Sequence, residues 1–142
     1  MFKINYIEGD LFDCVGRSAM ANCVSRDLQM GKGIARLFQS AFRDRSSLRE
    51  QNKGIGEVAI TKHNGHFIYY LITKNRYYQK PTYKTVSSAL KAMREHCVLN
   101  NVKHISIPKL SCGLDNLDWE RVSALLCVIF FQTNIQIDVY CK

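Results

Sequence analysis

The chain has 142 residues, 46% of them hydrophobic and 23% charged, with a formal net charge of +8. Its length gives one domain, residues 1–142, with a single buried core, and the balance of apolar to charged residues excludes a disordered or low-complexity chain. The best apolar run, from Ala124 to Phe131, falls far short of the roughly 20 residues that a membrane span requires, so no membrane partner is expected.

The positive charge favours anionic partners such as nucleotides or nucleic acid, although a generally basic surface would give the same excess. Cys14, Cys23, Cys97, Cys112, Cys127 and Cys141 are scattered, with no Cys-x-x-Cys pair and no Cys/His cluster. That usage predicts a reduced, intracellular protein without a metal. The N-terminus enters a strand pattern at once, so no signal peptide is expected.

Residues 2–7 alternate as a strand, and residues 19–24 form a second, mostly apolar one. Ile34, Leu37, Phe38 and Ala41 recur at helical spacing, followed by a polar helical piece over residues 46–52. Val58, Ile60 and residues 67–72 read as two strands. Between them stands Asn64-Gly65, the strongest short hairpin signal, which makes one strand pair antiparallel. Pro81-Thr82 opens a long helix with Val86, Leu90, Met93 and Cys97 on its buried face. A strand over 105–110 precedes a last helix capped by Asn116 or Asp118, with the stripe Val122, Leu125, Leu126, Ile129 and Phe130. Ile135, Ile137, Val139 and Cys141 alternate as the final strand. Together these predict an α/β fold with a mixed central sheet of about six strands and helices on both faces. His63 and His66, beside the hairpin turn, are expected to be exposed.

Two short glycine turns stand out, Met30-Gly31-Lys32-Gly33-Ile34-Ala35 and Ser111-Cys112-Gly113-Leu114-Asp115. Each follows an apolar run and leads towards a helix, so each can bring backbone N–H groups close to an anion. Two such turns in one small domain can grip one diphosphate from both sides. Arg36 stands where a dinucleotide fingerprint would need its third glycine, and no Gly-Lys-Ser/Thr completes a P-loop. At the carboxyl ends of strands, both turns would lie where such sheets bind ligands.

Lys74, at the end of a strand, is either an exposed lysine or a desolvated nucleophile able to attack an electrophilic carbon. Asp115 is either a helix-capping carboxylate or the base that shuttles the proton needed for release. Asp10 can accept from an exocyclic amine while Leu11 offers its N–H, or it can simply shape a turn. Ser25 and Asp27 bind ribose hydroxyls or order their loop. Tyr140 stacks on a base or packs in the core. Lys109 and Arg76 are candidates for phosphate attraction.

In order, Gly9-Asp10-Leu11, Asn22-Cys23-Val24-Ser25, the first glycine turn, Tyr70-Leu71-Ile72-Thr73-Lys74, Lys80-Pro81-Thr82-Tyr83 and Cys112-Gly113-Leu114-Asp115 resemble the macrodomain family. They are most similar to the branch of the terminal ADP-ribose protein glycohydrolase, also called O-acetyl-ADP-ribose deacetylase. The resemblance runs through nearly the whole chain and implies a three-layer α/β/α sandwich. It implies a hydrolase that removes mono-ADP-ribose from acidic protein side chains and deacetylates O-acetyl-ADP-ribose, with neither metal nor other cofactor. The catalytic pair falls on Lys74 and Asp115. Asp10 and Leu11 would hold adenine. Gly31, Gly33, Ile34 and Ala35 would wrap the diphosphate and distal ribose with Ser111, Cys112, Gly113 and Leu114. Ser25, Thr73 and Tyr140 complete the ligand-binding set.

Partners implied are ADP-ribose, ADP-ribosylated proteins, poly(ADP-ribose) or ADP-ribosylated nucleic acid, for a monomer of nucleus and cytoplasm with a place in the DNA damage response. The alternatives are a non-catalytic ADP-ribose reader and a basic nucleic-acid binder. Lys32 replaces the small residue usual between the loop glycines, Ser111 stands where the family often has glycine, and Asn22 where this branch often has histidine.

Overall fold

The computed structural model describes residues 1–141. In chain order these form β1 (Lys3–Glu8), a 3-10 turn (Leu11–Cys14), β2 (Ala19–Ser25), α1 (Gly33–Phe42) and α2 (Arg45–Gln51). There follow β3 (Val58–His63), β4 (His66–Lys74), α3 (Tyr83–Leu99), β5 (His104–Ile107), α4 (Trp119–Phe130) and β6 (Gln136–Cys141). They build a six-stranded sheet in the order β1-β6-β5-β2-β4-β3. Every neighbouring pair is parallel except β3 and β4, which the Asn64-Gly65 turn joins antiparallel.

Alternation along β4 divides the core into two. Ile68, Tyr70 and Ile72 point towards α1 and α2, where they meet Phe38, Phe42 and Leu48. Tyr69 and Leu71 point the other way, towards Val86, Leu90 and Met93 of α3 and Val122 and Leu126 of α4. Strands covered on both sides read as continuous apolar runs, which is why residues 67–72 are hydrophobic without a gap. The molecule is thus a three-layer α/β/α sandwich with a mixed sheet, as the sequence predicts.

Local chemistry fixes the ends of α3. The Thr82 hydroxyl accepts from the Thr85 amide at 3.1 Å, and the Thr85 hydroxyl accepts from the Thr82 amide at 3.1 Å. This reciprocal cap satisfies donors that a helix start leaves open. Val86, Leu90, Met93 and Cys97 are all buried, the face that the sequence assigns. Asp118, not Asn116, caps α4 by accepting from the Glu120 amide at 3.0 Å.

Three expectations are corrected. The buried face of α1 is Phe38 and Phe42, while Leu37 is 51% exposed and Ala41 faces solvent. The two rings decide the rotation, because Phe38 packs against Phe12, Phe42 and Tyr70. Strand β5 stops at Ile107 rather than residue 110, since Pro108 has no N–H to continue a ladder. His63 and His66 are both half-buried rather than exposed; the His63 ring is tilted against Phe42 and hydrogen-bonded through Nε2 to Asp44 at 3.0 Å. Asp44 also accepts from Thr61 at 2.6 Å and from the buried Tyr70 hydroxyl at 2.8 Å, so this cluster ties α2 to the sheet.

Candidate active site

Because β1, β6, β5, β2 and β4 are parallel, their carboxyl ends share one edge. From β2 the chain turns to α1 on one face, and from its neighbour β5 to α4 on the other. A crevice opens where such connections diverge. Both glycine turns lie there, with Asp10 and Leu11 after β1, Tyr140 on β6 and Lys74 at the end of β4 on the same edge.

The two turns touch. A Cβ placed on Gly33, whose φ is +60°, would lie 3.1 Å from Leu114 Cδ1. Among the described residues, the amides of Gly33, Ile34 and Ala35 donate to no protein acceptor, and neither do those of Gly113, Leu114 and Asp115. The first set is the open N-terminus of α1, where aligned peptide dipoles favour an anion. The second set belongs to a turn, not to a helix start, for α4 begins only at Trp119. That turn is closed by Leu117 N–H donating to the Ser111 carbonyl at 2.9 Å and Asn116 N–H to that of Gly113 at 3.1 Å. Ser111 (φ +59°) and Asn116 (φ +61°) adopt the left-handed backbone that it needs. Lys32 caps neither turn; it stands exposed at the start of α1.

Lys74 and Asp115 meet beside these amides. The Lys74 Nζ donates to Asp115 Oδ1 at 2.7 Å across 41 residues of chain, and each side chain is only 14% exposed. Lys74 is therefore not an exposed strand-end lysine, and Asp115 does not cap a helix. Cys23 stands against the pair and beside Ser111; burial pushes its thiol up to about 12. A thiol that stays protonated gives the pair a neutral wall.

The segment before α3 braces both sides of the crevice. Lys80 Nζ donates to the Leu114 carbonyl at 2.5 Å, and the Tyr83 hydroxyl accepts from the Asp118 amide at 2.9 Å. The Thr85 hydroxyl donates to the Thr73 carbonyl at 2.7 Å, fixing the end of β4 one residue before Lys74. Sequence reasoning quotes Lys80 to Tyr83 as a motif but gives it no such role. No local periodicity could reveal it, because the partners lie on distant loops.

The remaining positions divide between turn and wall. Asp10 accepts from the Phe12 amide at 2.9 Å at the mouth of the 3-10 turn, and Leu11 is buried below it. Tyr140 is half-buried and accepts from the Cys14 thiol at 2.7 Å. That contact, with burial, pushes its phenol up to about 12. Ser25 donates to Asp27 at 2.5 Å, and Asp27 also accepts from the amides of Gln29 at 3.3 Å and Tyr77 at 3.0 Å. The carboxylate thereby ties the loop after β2 to the loop after β4. Burial pushes Asp27 up, but those three hydrogen bonds and the charge of Arg76 outweigh it and hold the carboxyl below its usual range. The hydroxyls of Thr73 and Ser111 are buried without a hydrogen-bond partner, as is the Asn22 amide. Cys112 is half-buried and donates through Sγ to the Leu110 carbonyl at 3.1 Å. Gly31 is exposed at the mouth of the first turn, and no group of His, Cys, Asp and Glu among the described residues is placed to hold a metal ion.

Residues 21–126 match the family described as Macro domain. The chain belongs to the Macro domain family. Over 138 residues it is 47% identical to the human (Homo sapiens) ADP-ribose glycohydrolase OARD1, a match that covers 97% of this chain and 91% of that protein. This Macro domain also superposes on the macrodomain of Thermus aquaticus DarG with a TM-score of 0.88 at 21% identity, covering 100% of both chains. Thermosipho africanus DarTG in complex with ADP-ribose gives a TM-score of 0.85 at 21% identity, over 99% of this chain and 42% of that one.

Proposed function

We propose that the protein is an ADP-ribose hydrolase that releases mono-ADP-ribose from acidic protein side chains, with Lys74 and Asp115 as its catalytic residues. One observation carries the reading: a half-buried amine and a half-buried carboxylate 2.7 Å apart, flanked by two facing sets of unpartnered amides. The amides of Gly33 to Ala35 and of Gly113 to Asp115 would take the diphosphate. Held there, the ligand would bring its distal ribose up against the amine and the carboxylate. The likeness to a glycohydrolase over nearly the full length of both chains supports the same assignment.

The steps follow from the pair's geometry. Asp115, one hydrogen bond away, takes a proton from Lys74 and frees its lone pair. The amine attacks the anomeric carbon of the distal ribose. The bond from that carbon to the ester oxygen breaks, its electrons leave with the acidic side chain, and Asp115 passes its proton to that group, which departs as a carboxylic acid. The nitrogen then gives a proton to the ring oxygen as the ring carbon–oxygen bond opens, and the sugar is held on Lys74 as a protonated Schiff base. Asp115, ionised again, takes a proton from an incoming water as the hydroxide adds to the imine carbon, and passes that proton to the nitrogen. The carbon–nitrogen bond then breaks, the new hydroxyl gives its proton to the departing amine through Asp115, and the sugar leaves as an aldehyde that recloses its ring. Deacetylation of O-acetyl-ADP-ribose would use the same cleft.

Lys74→Ala and Asp115→Ala test the reading. Each should slow release of ADP-ribose from a glutamate-linked peptide by roughly 100- to 10,000-fold, while ADP-ribose binding persists. Turnover equal to the parent's in both variants would overturn the catalytic assignment. Binding without turnover in the parent would make the protein a reader.

A further inference from the structure

Beyond β4, on the α1/α2 side of the sheet, lies a cavity of about 300 Å³ that the amide-lined crevice does not share. Three separate segments bring cationic side chains to it. Arg26 comes from the loop after β2, Arg49 and Lys53 from the end of α2 and beyond, and Arg76 from the loop after β4. Leu48 and Ile72 form its floor. Neither Lys74, Asp115 nor either glycine turn lines it.

Charge sets the chemistry of this cavity. Among the described residues, none of the four cations closes an ion pair. The one carboxylate on the wall, Asp27, already accepts from Ser25, Gln29 and Tyr77. A basic residue in the last turn of α2 has an ordinary explanation, since it complements the negative end of the helix dipole. That explanation covers Arg49 alone. It does not account for Arg26 and Arg76 arriving from two strands' ends. Guanidinium groups offer paired donors that match phosphate oxygens, and a lysine beside them adds a point charge.

We infer that this cavity is a second anion site, one that takes the phosphate of a nucleotide, free or within a strand. Its volume lies at the lower end of small-molecule pockets, which span about 300–1,000 Å³. The amides of Asn52 and Asn75 on the same wall can donate and accept at once, and so can bind a sugar or base edge beside the phosphate. The site borders the catalytic strand end: Arg26 N–H donates to the Lys74 carbonyl at 2.8 Å, and Asp27 N–H to that of Asn75 at 3.2 Å. The two sites thus share a wall and not a cavity.

The test titrates the full chain with AMP and, separately, with a pentathymidylate, both with and without saturating ADP-ribose. The expected result is binding that persists when ADP-ribose is present. In Arg49→Glu/Lys53→Glu it should weaken by about tenfold or more. Both residues are exposed, so the fold should survive. Lys3→Glu/Lys91→Glu carries the same change of charge on other surfaces and should leave binding unaltered. AMP binding identifies a free nucleotide as the source, and binding of the pentathymidylate alone identifies a strand phosphodiester. Absence of binding by either probe overturns the inference. So does abolition by ADP-ribose, or equal weakening in the two double variants. Failure of ADP-ribose itself to bind would count against the crevice and leave the comparison of variants intact.

Discussion

The two edges of the sheet handle turns and buried polar groups in opposite ways. At the amino edge, the left-handed positions are Gly16, Asn64, Gly65 and Asn101, residues that adopt this backbone at little cost, with Arg43 at the end of α1 the exception. Polar groups towards that edge satisfy one another: His104 Nε2 lies 2.6 Å from Asp138, which accepts from Asn5 and Gln136, and Ser18 meets Ser106 at 2.7 Å. At the carboxyl edge, Leu28, Met30 and Ser111 hold left-handed backbone, and the hydroxyls of Thr73 and Ser111 are buried without partners. Strain and unmet polarity therefore collect beside Lys74 and Asp115. Such costs persist at functional sites because the surrounding structure over-determines them.

Substitutions at the two edges sharpen this contrast. Asp138→Asn should have the largest effect on stability, about 2–3 kcal/mol at pH 7, because it weakens hydrogen bonds to a charged group. It should leave ADP-ribose affinity unaltered by calorimetry. Burial pushes Asp138 up, but bonds from His104, Gln136 and Asn5 outweigh it and hold its carboxyl below the usual 3.8. The unfolded chain then binds the extra proton first, so the stabilisation is full above about pH 4 and is lost as the pH falls further. Urea melts from pH 2 to 7 should show a flatter acid limb in the Asn variant. An unaltered limb would remove Asp138 from the account.

Gly33→Ala should come next, with the readouts reversed. A φ of +60° and a Cβ only 3.1 Å from Leu114 Cδ1 predict a loss of about 1–2 kcal/mol in thermal melts. ADP-ribose affinity should fall by about tenfold, since the alanine pries the two turns apart. Parent-like affinity would mean that their contact does not shape the cleft. Ser111→Gly should have the smallest effect. Relief of the left-handed strain opposes the greater chain entropy of glycine, leaving a net change within about 1 kcal/mol. A loss well beyond that would show that the Ser111 hydroxyl holds Cys23 or the turn in place.

The same contrast explains what could be read from the chain. Asn64-Gly65 announces its hairpin because the turn's chemistry is written in its own two residues. The face of α3 follows from the period of Val86, Leu90, Met93 and Cys97. In α1, counting hydrophobic residues favours Leu37, whereas shape complementarity chooses Phe38 and Phe42. The second glycine turn is only half legible, for its left-handed positions are Ser111 and Asn116 rather than its glycine. Lys74 and Asp115 are visible as residues of the right type at strand ends. Their contact is not, because it depends on β4 and the loop after β5 being brought to one edge by the order of strands between them.

The most direct measurement is reductive trapping. The protein is mixed with a glutamate-linked ADP-ribosyl peptide, treated with borohydride, digested and read by mass spectrometry. An ADP-ribosyl mass on the peptide containing Lys74, in the parent or in Asp115→Ala, is the predicted result. Turnover by the parent with no modification of Lys74 in either protein would contradict the lysine-centred mechanism.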